Sequence, residues 1–364
     1  LRGHQAEVHG VAFDPAPPAG ARRLASCGKD GLVKLWDADA GAGPRILRGH
    51  THLVRALQFS PDGRLGSCSL DGTIRVWDPH SGREQLKINY EPERIAFSPD
   101  GRLLAAGRKE FAPSDQGSRG RRSGEARVWD AETGREVRRL AGHSQGVLSA
   151  AFSPDGRLLA TAAGRYFPLP RQPGEVKLWD VATWKEFDSC RPPVGVVLDL
   201  AFSPDGRHLA LAGTDSSLLL WDVKERKEVR RLRGGHIGSV QSVAYRPGGK
   251  VLASGDDAGT LILWELATGR QLLKRKAHGG PLTGLAFNAD GGRLASTSFN
   301  PIDVGDEVKL WDPDRGQEIM TLPGRLTVAF SADGRRLAAT GLGGLDEARQ
   351  IRVWDGTPTK GNRD

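Results

Sequence analysis

The sequence predicts an all-β fold of eight short four-stranded antiparallel sheets, and three observations carry that reading. A Trp-Asp pair returns at Trp36-Asp37, Trp77-Asp78, Trp129-Asp130, Trp179-Asp180, Trp221-Asp222, Trp311-Asp312 and Trp354-Asp355, with Trp264-Glu265 as a conservative eighth, at intervals of 41 to 52 residues. A turn of the form SPDGR recurs at Ser60–Arg64, Ser98–Arg102, Ser153–Arg157 and Ser203–Arg207. Between these words lie short runs rich in Val, Leu and Ile, punctuated by many of the 48 glycines and 22 prolines, with no strong helical period anywhere.

Each repeat supplies its elements in order. A first strand ends in a phrase such as VAF or AAF. Pro and Gly in the SPDGR turn then reverse the chain. A second strand such as LLATAA follows, then a connection of variable length. A third strand such as VKLWD carries the tryptophan near its end. A turn such as AETGRE leads to a fourth strand such as VRRLAGH. Four short strands cannot bury both of their faces alone, but sheets stacked side by side around an axis bury a continuous core and leave only short edges. The expected architecture is therefore a β-propeller of eight blades forming one domain over residues 1–364. Seven blades plus a partial repeat is the alternative.

A Gly-His pair opens several repeats, at Gly3-His4, Gly49-His50, Gly142-His143 and Gly235-His236. It weakens to Ala277-His278 and is missing from repeats three, five and eight. With the Trp-Asp endings, these words resemble the WD40 repeat family over essentially the whole chain. The Gly/Ala/Arg-rich repeats resemble its bacterial-type members, in which a propeller often accompanies a kinase or another signalling domain. The resemblance implies a hydrogen-bond network in each blade: the Trp indole N–H bonds a Ser or Thr, which bonds a His, which bonds an Asp in a turn. The matching sets are His4, Ser26, Asp30, Trp36 and His50, Ser67, Asp71, Trp77. Elsewhere the set is expected to be incomplete, with Ala258 at the aspartate position of repeat six and Pro173 at that of repeat four; repeats three and eight lose most of it.

A Ser-His-Asp set invites a hydrolase reading. A catalytic set should be single, however, and this one repeats, so its expected role is blade geometry. No Gly-rich phosphate loop opens a helix, and no HExxH, CxxC pair or nucleophile elbow is present. The carboxylates read as turn residues. The expectation is a non-enzyme with no catalytic residue, no cofactor and no metal.

Composition narrows the setting. No run of about 18 apolar residues offers a membrane span, and no basic-then-apolar signal segment opens the chain. The chain begins at Leu1 rather than Met, so an upstream segment is expected. That segment should supply the strand that closes the ring, because Thr357–Asp364 makes a poor one. Cys27, Cys68 and Cys190 form neither a disulfide framework nor a zinc pattern and read as small side chains in a reducing, cytoplasmic compartment. The net charge of +8 comes from scattered arginines, which favours a solvated surface over a nucleic-acid face.

The repeats differ in one place. From the Ser/Thr position to the tryptophan there are 10 residues in repeats one, two, five and six, but 23 in repeat three, 18 in repeat four and 15 in repeats seven and eight. The extra residues all enter the connection between the second and third strands, which antiparallel order puts on the same face as the Gly-His turns. Long loops on a rigid scaffold are the usual carriers of binding. In a ring of eight, blades three and four face blades seven and eight, so two walls should flank the channel mouth. One is basic and aromatic: Phe111, Arg119, Arg121, Arg122, Tyr166, Phe167 and Arg171. The other contains Phe299, Ile302, Asp303, Asp306, Glu307, Leu345, Asp346 and Glu347 and is acidic. The expected function is a docking scaffold for a protein or peptide, serving as the sensor or docking module of a signalling protein. Nucleic-acid binding through the blade-three arginines is a second reading. A channel-centred enzyme or ligand sensor is a third; it would need His9, Arg55, Arg94 and Asp199 to converge.

Overall fold

The SPDGR turn shows why the repeats fold as they do. In Ser98–Arg102 the serine hydroxyl bonds Asp100 at 2.5 Å and accepts the Leu103 N–H at 2.9 Å, while the aspartate accepts the Arg102 N–H at 3.0 Å. Gly101 closes the turn at a φ of 73°, a left-handed conformation that costs glycine little. The turns at Ser153 and Ser203 repeat the same bonds. Each such turn joins the first strand of a sheet to its second.

The computed structural model of the chain describes residues 8–13, 23–28, 32–37, 45–52, 54–78, 81, 83–108, 124–164, 174–288, 290–298, 307–323, 328–330, 336–340 and 351–355. Among the described residues the strands form eight antiparallel sheets in chain order, seven of four strands and a last one of three. Each tryptophan of the repeat lies at or next to the end of a third strand, as in Thr73–Trp77 and Glu175–Asp180. The first strands are Val8–Phe13, Val54–Phe59, Ile95–Phe97, Val147–Phe152, Val197–Phe202, Val240–Tyr245, Leu282–Phe287 and Val328–Phe330. Each contacts the next, and the eighth contacts the first, so the inner strands close a ring around a central channel.

The core lies between the blades. One cluster joins Cys68, Ile74 and Val76 of blade two to Ile95, Phe97, Leu104 and Trp129 of blade three. Equivalent clusters join blades three to four, four to five, five to six and six to seven. Second and third strands are therefore covered on both faces; Thr73–Trp77 and Leu65–Ser69 are buried at every position. The alternation in their sequence separates two buried faces rather than a wet face from a dry one. Fourth strands are the open edges and carry charge: Glu136–His143 is exposed at six of its eight positions. Edge charges of this kind oppose pairing with another chain.

Two devices finish the ring. In six blades the pairing of first and second strands is bulged at the same place, which inserts His9, Arg55, Leu148, Leu198, Gln241 and Thr283 as extra residues. In addition, side chains from one blade satisfy edge N–H groups of the next. Gln58 Oε1 accepts the Phe97 N–H at 3.1 Å, and Asp199 Oδ2 accepts the Val243 N–H at 3.2 Å.

Arg64 latches blades two and three from the turn side. Its guanidinium donates to the Ala131 and Gly101 carbonyls at 2.5 and 2.6 Å. Arg64→Ala should therefore cost about 1–3 kcal/mol in urea unfolding. The exposed Arg207, in the same turn of blade five, should cost less than about 0.5 kcal/mol when replaced by alanine. Equal effects would show that the latch contributes nothing.

Candidate functional site

The blade networks tie each entrance turn to the second and third strands of its blade. In blade two the Trp77 indole N–H donates to Ser67 Oγ at 2.8 Å, Ser67 contacts His50 Nε2 at 2.8 Å, and His50 Nδ1 contacts Asp71 Oδ2 at 2.9 Å. A neutral ring suits both contacts: Nδ1–H donates to the carboxylate and Nε2 accepts the serine proton. Asp71 also accepts the Thr51 and Thr73 N–H groups. His50 enters from the turn before the first strand and Asp71 from the turn after the second, so those two kinds of turn share one face. His4 and Asp30 lie outside the described residues, as do the side chains of Ser26 and Trp36.

Blades four and six correct the sequence reading. In blade four Trp179 donates to Thr161 Oγ1 at 2.9 Å, Thr161 contacts His143 Nε2 at 2.7 Å, and His143 Nδ1 meets Glu175 Oε2 at 2.9 Å. In blade six Trp264, Ser254 and His236 make the same contacts, and the carboxylate is Asp256, 2.9 Å from His236 Nδ1. The acid reaches the histidine from the third strand in one case and from the end of the second strand in the other. Alignment on the Asp71 position finds Pro173 and Ala258 and so misses both. These carboxylates, with Asp199, also show that acidic residues sit in strands as well as turns.

Other blades solve the problem differently. In blade three Tyr90 stacks edge-on against Trp129 with ring centroids 5.0 Å apart, and its hydroxyl donates to the Glu125 carbonyl at 3.2 Å. In blade five the Trp221 indole donates across the blade boundary to Asp188 at 3.2 Å. A cross-strand ion pair, unremarked in the sequence, recurs between the residue two before the tryptophan and the glutamate seven after it. It joins Arg75 to Glu84, Arg127 to Glu136, Lys177 to Glu186 and Lys309 to Glu318.

The ten residues predicted to bind a partner, Phe111, Arg119, Arg121, Arg122, Tyr166, Phe167, Arg171, Phe299, Asp303 and Asp306, lie outside the described residues. The roots of two of their loops do not. Gly107 and Gly124 flank the blade-three loop, and a Cβ on Gly124 would lie 1.5 Å from the Gln145 carbonyl oxygen, in the Gly-His turn region of blade four. Gly164 donates to the Gly146 carbonyl at 3.0 Å and Gly174 to the Gly195 carbonyl at 2.8 Å, which root the blade-four loop against the entrance turns of blades four and five. On the same face Ile237 is 82% exposed. The equivalent turns carry Thr51, Ser144 and Gly279, so an isolated β-branched apolar residue was the available signal.

Among the described residues no cluster of three His, Cys, Asp or Glu side chains could hold a metal, and no helix is long and apolar enough to cross a membrane. The networks respond to pH through their histidines and carboxylates. Burial lowers the pKa of His50, takes that of His143 down to about 4 and that of His278 to about 3. Asp71 is held at about 2: burial raises its pKa, but bonds from Thr73 and His50 outweigh that.

Comparison with known proteins gives a consistent picture. The family described as "WD domain, G-beta repeat" matches residues 1–37, 44–78, 134–180, 189–222, 226–265 and 269–312. The unmatched stretches include Trp129 and Trp354, in the two repeats that lack most of the sequence set. The chain is similar to "Nuclear distribution protein PAC1" of Arthroderma benhamiae, 31% identical over 177 residues, 44% of this chain and 38% of that protein. The protein of the same name from Fusarium vanettenii is 36% identical over 177 residues, 44% of this chain and 39% of its own. "WD repeat-containing protein SL1-17" of Schistosoma mansoni is 30% identical over 143 residues, 38% of this chain and 43% of its own. The chain thus spans less than half the length of these relatives, and none of them is bacterial.

Two measurements check the networks. Thr161→Ala leaves the Trp179 N–H and His143 Nε2 without their shared partner and should cost about 1–3 kcal/mol in chemical unfolding. The folded protein keeps these histidines neutral, whereas the unfolded chain protonates them near pH 6.5. The unfolded state therefore binds more protons below that pH, and stability should fall as pH drops from 6.5 towards 4. The wild-type melting temperature should decline over that window, and less steeply in His143→Gln; parallel curves would contradict the assignment.

Proposed function

The chain belongs to the WD40 repeat family, and from that premise we propose that it is a non-catalytic scaffold that docks a protein or peptide on the face carrying its Gly-His turns. The observation that carries this reading is the rooting of the two longest insertions. Blades two, five and six turn tightly between their second and third strands on that face. In blades three and four the same connection lengthens, and its ends are held by glycines packed or hydrogen-bonded against neighbouring entrance turns. The inserted residues are aromatic and basic, the types that binding hot spots favour.

In this reading Phe111, Tyr166 and Phe167 are apolar anchors, and Ile237 adds a fourth. Arg119, Arg121, Arg122 and Arg171 receive the acidic part of an extended partner, while Phe299, Asp303 and Asp306 form the opposite wall. Rim charges act mainly on association rate and salt dependence. A cytoplasmic setting and a role as the sensing module of a signalling protein belong to the same proposal.

The test compares two double variants in a titration against a partner isolated on the intact protein. Tyr166→Ala with Phe167→Ala should weaken binding at least tenfold, about 1.4 kcal/mol. Arg157→Ala with Arg207→Ala, on the SPDGR face, should leave it unchanged. Arg64 is unsuitable as a control, because its guanidinium holds two blades together. Loss of binding in the second variant alone would move the site to the opposite face.

A further inference from the structure

The channel wall carries polar groups that the docking reading does not use. Arg94 immediately precedes the first strand of blade three. It reaches past blade four to the first strand of blade five, where its Nη1 lies 3.4 Å from Asp199 Oδ1. The two partners are placed very differently. The Asp199 side chain is only 10% exposed. Its other oxygen accepts the Val243 N–H at 3.2 Å, and the Ser242 hydroxyl also bonds the carboxylate. Asp199 is thus committed to the neighbouring blade. The Arg94 side chain is 46% exposed, and its one long contact with Asp199 is the only bond of its guanidinium among the described residues. Most of its five donors remain available.

The equivalent positions of the other described first strands carry small residues, with Ser149 and Ser242 in blades four and six. Counted back from the closing aromatic of each first strand, the position of Arg94 and Asp199 is filled in blades one, two and seven by Gly10, Ala56 and Gly284, which bring at most a methyl group. One residue earlier stands the recurrent bulge, occupied in blades one and two by His9 and Arg55. Register alone thus sets two further basic residues on the two inner strands that precede Arg94.

We propose that this level of the channel is a binding site for a carboxylate, gripped by the Arg94 guanidinium. The planar fork of arginine matches a carboxylate with two parallel hydrogen bonds. Asp199 orients the guanidinium through one nitrogen. Its charge opposes a doubly charged phosphate more than a singly charged carboxylate. The carboxylate comes either from a free small acid or from an acidic side chain of a peptide. The site is separate from the docking loops.

Thermal unfolding of the full chain with three probes tests this: sodium butyrate, the blocked peptide acetyl-Gly-Glu-Gly-amide, and inorganic phosphate. A saturable rise in melting temperature with butyrate or with the peptide is expected, and whichever responds identifies the source. Arg94→Gln should weaken the response at least tenfold, and Asp199→Asn should tighten it severalfold by removing the competing charge. Tyr166→Ala with Phe167→Ala should leave it unchanged, which separates this site from the docking face. If Arg94→Gln does not fold, Asp199→Asn decides alone. The proposal is overturned by an unchanged response in Arg94→Gln, by no tightening in Asp199→Asn, or by phosphate acting as strongly as the carboxylates.

Discussion

A tryptophan buried between two blades must hand its indole N–H to an acceptor, and much of the structure is arranged around that demand. Trp77 and Trp264 are each 1% exposed. Leaving such a donor unsatisfied would cost about 1–3 kcal/mol. The hydroxyl that accepts it is itself buried and needs its own partner, so the chain of bonds runs on through a histidine to a carboxylate at the edge of the blade. That route joins the third strand, the second strand and the entrance turn. The same bonds that satisfy the indole also fix the Gly-His turn over its blade, and the long loops are rooted against those turns.

The fold was legible in the sequence because its signals are local and repeated. SPDG encodes a turn whose serine, aspartate and glycine each have a separate task, and the tryptophan marks the end of a third strand. The complete network of blade two was legible for the same reason: His50, Ser67, Asp71 and Trp77 keep a fixed spacing. Glu175 and Asp256 were not, because a carboxylate needs only to reach Nδ1, and a longer side chain or a different strand position can do that. Spacing reports the backbone route, whereas the bond depends on the position of the oxygen. Tyr90 against Trp129 and Asp188 against Trp221 were hidden for a related reason, since each replaces a motif residue with a different chemistry from a different place.

The channel shows what sequence leaves undetermined. Arg94 and Asp199 are 105 positions apart, and only closure of the ring brings their strands together. The bulge that recurs in six first strands has no single residue type: histidine, arginine, leucine, glutamine and threonine all fill it. It is set by pairing register, to which composition is blind. The face proposed for docking is the reverse case. Its loop lengths and residue types are plain in the sequence, and the fold contributes the positions of the loop roots.

The central claim is that each network acts as one unit regardless of where its acid originates. A double-mutant cycle in blade four tests it most directly, with Trp179→Phe, which removes the indole N–H, and Glu175→Gln, which removes the charge at the far end. The two groups do not touch; they communicate through Thr161 and His143. Unfolding free energies should show a coupling of at least about 0.5 kcal/mol between the two changes, the scale found for residues in one hydrogen-bond network. Additivity within about 0.3 kcal/mol would mean that the bonds are independent and that the network is not the unit on which the blade depends.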